Sequence, residues 1–251
     1  MARALARGWG EPVLASDGGS GRAAALAAEL GGEAFSSNAE VAERADLVVL
    51  CHKPAQLHEV SEEIAGRAKA VVSVLAATSL TMLREAYRKT PVFIAVPNTA
   101  VEVRRGVTVF AQLEPGAVEE RLKQQVLELF GRVGRVVELP EKTMGAATSV
   151  TGVGPAYQAL LVEAQVDAAI RHGLPARLAA EVVVETMAGA AALLEARDYD
   201  TLTVRREVTS PGGTTARGLE ALERHGVRSA FQAAIDAVRY GGRGGAGGGA
   251  R

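Results

Sequence analysis

The chain has 251 residues, 48% of them hydrophobic and only 4% aromatic, with 28 Lys and Arg against 29 Asp and Glu for a formal charge of -1. That length allows one large domain or two modest ones, with a core built from Ala, Val and Leu, and the balanced charge shows no footprint for nucleic acid, which favours a clustered basic surface. Cys51 is the only cysteine, so no internal disulfide exists and a reducing cytoplasm is the expected compartment. No signal peptide is visible, and the longest apolar stretch, 182–194, is interrupted by Glu185 and falls short of the about 20 residues that a membrane span needs.

The chain opens in a helical pattern, MARALARGW (1–9), and the run PVLAS (12–16) then reads as a strand. GRAAALAAELGG (21–32) predicts a helix stopped by glycine. DLVVLC (46–51) and AVVSVLA (70–76) are continuous apolar runs, as expected of strands buried on both faces, and each is followed by a helical pattern, 55–68 and 79–89. Strands at 92–96, 106–111 and 135–139 and a helix over 115–130 complete the series. Strands alternating with helices predict an α/β domain with a parallel sheet and helices on both faces.

After Pro140 the strand signals stop. Helices are predicted over 143–150, 155–173, 176–196, 216–226 and 228–240, the second with Pro at its first turn and Gly past its end. The expected organisation is therefore a dinucleotide-binding domain over 1–140, a helical domain over 141–240, and a glycine-rich tail over 241–251 that has no capacity to pack. The helices of the second domain carry small and apolar residues around most of their circumference, which requires burial on several sides and predicts an intertwined dimer.

A Rossmann site carries G-x-G-x-x-G/A between its first strand and first helix, and neither that strand nor that loop is in this sequence. The expectation is that roughly 6–12 residues ahead of Met1 supply them. What remains of such a site is Asp17 after PVLAS, where an acid can bond an adenosine ribose hydroxyl, with Ser20 and Arg22 beside it as alternatives for a 2′-phosphate. Asp17–Ser20 also reads as an ordinary turn with a helix cap. CHKP (51–54) ends a buried strand, where ligands sit in open α/β sheets; Lys53 there reads either as a phosphate partner or as a solvated lysine before a helix-starting proline. His52 has no acid close in sequence to orient it as a base, and His58, His172 and His225 lack metal-ligand spacing, so no metal site is predicted. Asn98 and Thr99 follow the strand at 92–96 as ligands or turn formers, and no G-x-S-x-G elbow supports a serine hydrolase.

The stretch VTSPGGTT (208–215) places two glycines and three hydroxyls at the mouth of a helix. Glycines let backbone amides approach a ligand, and a helix starting near Thr214 adds unpaired N–H groups and the positive end of its dipole. Together they make a cradle for an anion, carboxylate or phosphate, whose hydroxyls can donate to the anion or give a proton to a reacting atom. A well-capped helix start needs fewer of these groups.

With GPAY (154–157), HGLP (172–175), VPNT (96–99) and KP (53–54) in this order, VTSPGGTT resembles the pyrroline-5-carboxylate reductase family over essentially the whole chain to about Tyr240. The resemblance implies reduction of a cyclic imine acid, 1-pyrroline-5-carboxylate, to L-proline by NADPH, with NAD as the alternative cofactor, in a cytoplasmic homodimer or a larger ring of dimers. It implies Thr215 as the hydroxyl at the imine nitrogen, and Glu141, Ser210, Gly212, Gly213 and Thr214 with it around the substrate. It implies cofactor contacts at Asn38, Lys53, Pro54, Ala76, Ala77 and Asn98, to which the reading of the residues adds Ser20, Arg22, Cys51 and His52 as candidates. The chain departs from the family pattern at Cys51 and His52, at Thr78 in place of glycine, at Val153 in place of a hydroxyl, at Gly145 in place of an aspartate and at Glu207 in place of an amide. The alternatives are a related reductase of another imine or keto acid, which Thr78 and Val153 favour, and a truncated non-catalytic dimeric relative, which the missing glycine loop favours.

Overall fold

A computed structural model describes residues 1–114, 116 and 120–241. Parts of the helix expected over 115–130, at 115 and 117–119, and the tail from 242 lie outside the described residues. The chain divides into two compact units, Met1–Pro155 and the residues from Ala156 on.

The first unit runs α1 (Ala2–Trp9), β1 (Leu14–Ser16), α2 (Arg22–Leu30), β2 (Glu33–Phe35), α3 (Asn38–Arg44), β3 (Val48–Leu50), α4 (Leu57–Ile64), β4 (Val71–Ser73), α5 (Leu80–Ala86), β5 (Val92–Pro97), β6 (Gly106–Ala111), α6 (Glu120–Gly131), β7 (Gly134–Leu139) and α7 (Glu141–Thr151), with short 3-10 turns at Pro54–Gln56 and Thr99–Val103. Among the described residues β1 and β2 form one parallel pair, and β3 to β7 form a second sheet in sequence order. Every pairing in that sheet is parallel except β5 with β6. Only residues 98–105 separate those two strands. A parallel return needs a crossover of a dozen residues or more, so so short a link turns the chain back antiparallel.

The apolar runs are two-faced because strand side chains alternate. Val71, Val92, Ile94, Val109 and Ala111 point to one core with Leu57, Ile64, Leu83, Tyr87 and Met144. Their neighbours Val72, Phe93, Ala95 and Phe110 point to the other, with Leu5, Val101, Val126, Phe130 and Val133. Each fully buried Val, Leu, Ile or Phe among them contributes about 1.5–3 kcal/mol relative to exposure. α1 seals the second core: Trp9 meets Phe130 edge to face at 5.9 Å and its Nε1 donates to the Leu129 carbonyl at 3.0 Å. A side chain at Gly8 would collide with the Val101 carbonyl, so α1 reaches the Thr99–Val103 turn only through a glycine.

Two elements had no periodic signal. β2 is three residues, two of them exposed, and α3 is held by its cap, with Ser37 Oγ accepting from the Ala39 N–H at 3.1 Å. β1 and β3 each leave an edge without a strand partner among the described residues, and a cleft of about 1130 Å³ lies between them, walled by Val13–Ser16 on one side and Leu47–Cys51 on the other.

The second unit is helical: α8 (Gly154–Arg171, which starts before the division), α9 (Ala176–Glu195), α10 (Thr201–Glu207), α11 (Thr214–Arg224) and α12 (Val227–Tyr240). α10 carries no helical signal in the sequence; Asp200 starts it by accepting from the Leu202 and Thr203 N–H groups. Ala179 is the one buried hydrophobic residue described in these helices, and Leu160, Leu178, Val182, Val184, Leu222 and Phe231 are exposed. The carboxylate of Glu207 accepts from Arg197 Nε at 2.9 Å, which accounts for an acid at that position.

Candidate functional site

The loop after β1 is organised by Asp17. Its Oδ1 accepts from the Gly19 and Ser20 N–H groups at 2.8 and 3.0 Å, and its Oδ2 from the Ala23 N–H at 2.8 Å and the Ser20 hydroxyl at 2.9 Å. Donation from Ala23, then from the Ser20 hydroxyl and the two loop amides, holds the carboxyl at about 2. Both oxygens are thus committed to building the turn and starting α2, while Arg22 Nε donates to Ser20 Oγ at 2.8 Å.

Asn38, at the start of α3, has its Oδ1 accepting from Ser16 Oγ at 2.6 Å and its Nδ2 donating to Glu63 at 2.7 Å, which ties β1 to α4. After β3, His52 Nδ1 lies 2.9 Å from the Lys53 carbonyl. A carbonyl only accepts, so that contact places a proton on Nδ1, and Nε2 is buried and without a partner among the described residues. Burial pushes the Cys51 thiol up to about 11, so it is not a nucleophile at neutral pH.

The cleft between β1 and β3 brings together Ser20, Arg22, Asn38, Cys51, His52 and Lys53. Pro54, Ala76, Ala77 and Asn98 are not in its lining. Gln56 and Glu63 do line it, and no motif pointed to them; the three-residue spacing from Lys53 to Gln56, whose Oε1 accepts from the Lys53 N–H at 3.3 Å, was the available signal.

Ala76 and Ala77 lie in the loop that leaves β4 and enters α5. Ala77 takes φ 55°, a left-handed conformation uncommon for a side-chain-bearing residue. Thr78, 9% exposed, turns its hydroxyl back onto the Ala76 carbonyl at 3.3 Å. Ser79 caps α5 by accepting from the Met82 N–H, and Glu141 Oε1 accepts from the Leu80 N–H at 2.8 Å. Asn98, 8% exposed, has its Oδ1 accepting from the Val107 N–H and its Nδ2 donating to the Thr151 carbonyl, both at 3.2 Å.

In the second unit the loop Ser210–Gly213 has the form expected of a cradle. Gly212 adopts φ 65°, which favours glycine, and a side chain on Gly213 would press on Ser210 Oγ, which would have to turn away. Gly213 is the N-cap of α11 and brings no side-chain cap. The α11 dipole and its first amides are thus presented at Thr214, which is exposed, and Thr215, which is half-buried. Ser210 is exposed on the same loop, where its carbonyl accepts from the Gly213 N–H at 3.0 Å.

A largely parallel α/β unit with a cleft at a strand edge, followed by a helical unit, is the arrangement of dinucleotide-binding oxidoreductases. Two family models match: pyrroline-5-carboxylate reductase dimerisation over residues 141–242, and NADP oxidoreductase, coenzyme F420-dependent, over residues 1–77. The chain is 37% identical over 204 residues to the pyrroline-5-carboxylate reductase of Synechocystis sp., covering 80% of this chain and 74% of that protein. It is 37% identical over 230 residues to that of Mycobacterium leprae, covering 81% and 78%. Among solved structures, 1-pyrroline-5-carboxylate reductase from Streptococcus pyogenes superposes with a TM-score of 0.86 at 26% identity, over 96% of this chain and 93% of that one. Plasmodium falciparum pyrroline carboxylate reductase with NADP bound gives 0.83 at 26% identity, over 95% and 91%. The chain belongs to the pyrroline-5-carboxylate reductase family.

Proposed function

We infer that the chain reduces 1-pyrroline-5-carboxylate to L-proline with NADPH, the last step of proline biosynthesis. The observation that carries this reading is the Ser210–Thr215 loop: amides at a helix N-terminus without a side-chain cap, opened by two glycines, with hydroxyls beside them. A carboxylate fits that cradle because the helix dipole and free N–H groups favour a small anion. The side chains of Ser210 and Thr214 lie at its rim, and Thr215 holds a hydroxyl where a bound ring nitrogen can exchange a proton.

The residues on the first unit's cleft fit the adenosine end of NADP. With Asp17 committed to its own turn and the Ser20 hydroxyl bonded to both Asp17 and Arg22, the terminal nitrogens of the Arg22 guanidinium are left to meet a ribose substituent, and they match a 2′-phosphate better than a free hydroxyl. Asn38, Cys51, His52, Lys53 and Pro54 line or flank the same cleft, and Ala76, Ala77 and Asn98 are the proposed contacts at the neighbouring strand ends. NADPH supplies hydride to the C=N carbon; the chain binds the carboxylate, orients the ring and manages the proton at nitrogen.

We also assign the chain to a cytoplasmic homodimer, with a larger ring of dimers as the alternative assembly. The exposed apolar faces of α8, α9, α11 and α12 support the dimer, and its lone cysteine suits a reducing compartment. No helix among the described residues is long and apolar enough to cross a membrane. A reductase of a different imine or keto acid is the competing reading, favoured by Val153 and Thr78. Loss of NADPH absorbance with 1-pyrroline-5-carboxylate, run beside six-membered imine acids and 2-keto acids, tests both. A preference for any of the latter overturns the first reading.

A further inference from the structure

α7 is tied at both ends to loops that belong to other parts of the first unit. Its first residue, Glu141, accepts from the Leu80 N–H, and its last, Thr151, accepts from Asn98 Nδ2 through its carbonyl. Leu80 closes the loop that leaves β4, and Asn98 begins the turn that leaves β5, its immediate parallel neighbour. Between the two ends Met144 and Ser149 are buried, so the helix is also seated along its length. The Leu80 amide belongs to the first turn of α5 and has no partner inside that helix. Glu141 supplies it at Leu80, three residues along the chain from Ala77, whose left-handed backbone must be held by its surroundings.

We infer that α7 is a brace across the carboxyl ends of β4 and β5, and that Glu141 is a positioning residue that acts through the Leu80 amide on the Ala76–Ser79 loop rather than an acid that meets the imine substrate. The inference rests on the reading of Ala76 and Ala77 as cofactor contacts. What the brace needs at position 141 is a hydrogen-bond acceptor, not a charge.

Glu141→Ala and Glu141→Gln separate the two roles, and because Glu141 is exposed neither opens the core. Loss of the acceptor in Glu141→Ala raises KM for NADPH roughly tenfold, the scale of one lost hydrogen bond, while KM for the imine acid moves less than about twofold. Glu141→Gln keeps the acceptor and stays within about threefold of the parent for NADPH. An effect that falls on the imine acid, or a glutamine as damaging as alanine, overturns the inference. Amide hydrogen exchange at Leu80 reads the same contact without turnover: it quickens in Glu141→Ala and is restored in Glu141→Gln. Unchanged protection in the alanine variant overturns the brace. A parent enzyme that neither binds NADPH nor reduces the imine overturns the functional reading instead, and exchange at Leu80 still decides the brace.

Discussion

Asn98 is where the structure makes the sharpest energetic demand on one side chain. It is 8% exposed and satisfies two backbone groups, the Val107 N–H and the Thr151 carbonyl, at 3.2 Å each. Replacing Asn98 by Ala strands both. An unsatisfied buried polar group costs about 1–3 kcal/mol, so with partial access of water to each the expected loss is about 2–4 kcal/mol, a large share of a typical 5–15 kcal/mol stability. Asn98→Asp keeps the acceptor for Val107 but turns an anionic oxygen toward the Thr151 carbonyl. Burial and that repulsion raise the introduced carboxyl's folded pKa above its unfolded value of about 3.9. The neutral acid can donate to Thr151, so the recovered stability is fully present below the unfolded pKa and is lost as pH rises through the folded one. Urea unfolding followed by far-ultraviolet circular dichroism, at fixed protein concentration because the chain is read as a dimer, measures both against the parent at about pH 7 and about pH 4.5. An alanine variant that loses less than about 1 kcal/mol, or an aspartate variant equally destabilised at both pH values, refutes the account of Asn98 as a doubly bonded clamp.

Four further outcomes follow from the same geometry. Thr215→Val lowers turnover by about a hundredfold while leaving carboxylate binding to the loop amides nearly intact; steady-state kinetics showing an unchanged kcat would remove Thr215 from the proton path. Arg22→Ala lowers the ratio of catalytic efficiency with NADPH to that with NADH, and a ratio that does not move means the guanidinium reads no phosphate. Asp17, held at about 2 by the Ala23 N–H and the Ser20 hydroxyl, is depressed below its unfolded value; its contribution is present above about pH 3.9 and is lost as pH falls through about 2. A carboxyl titration by NMR that finds Asp17 at an ordinary value contradicts the four-donor turn. Leu160→Glu, at a position 63% exposed on α8, weakens an interface expected to bury about 2,000–5,000 Å²; sedimentation of the parent as a stable micromolar monomer would dispose of that interface altogether.

Periodicity alone located the long elements, because a strand buried on both faces, such as Val92–Pro97, or a helix as long as Ala176–Glu195, leaves a pattern that outlasts local noise. The cradle was legible for the same kind of reason: its glycines and hydroxyls act through their own backbone, within eight residues of chain from Val208 to Thr215. β2, α3 and α10 were not, since each is short, and the cap that starts α3 or α10 outweighs any apolar stripe. The aspartate of the first loop reads from sequence as ribose ligand or turn former alike, and only the directions of four donors show its oxygens committed to the turn. The two ties of α7 belong wholly to tertiary structure. Glu141 meets Leu80, and Asn98 meets Thr151, across dozens of residues of intervening chain, and no local propensity encodes which distant amide a carboxylate will reach. What the sequence determined by itself is the set of elements and the chemistry they carry. What tertiary packing decided is which polar atoms remain free to meet a ligand, because most buried donors and acceptors are first taken up within the fold.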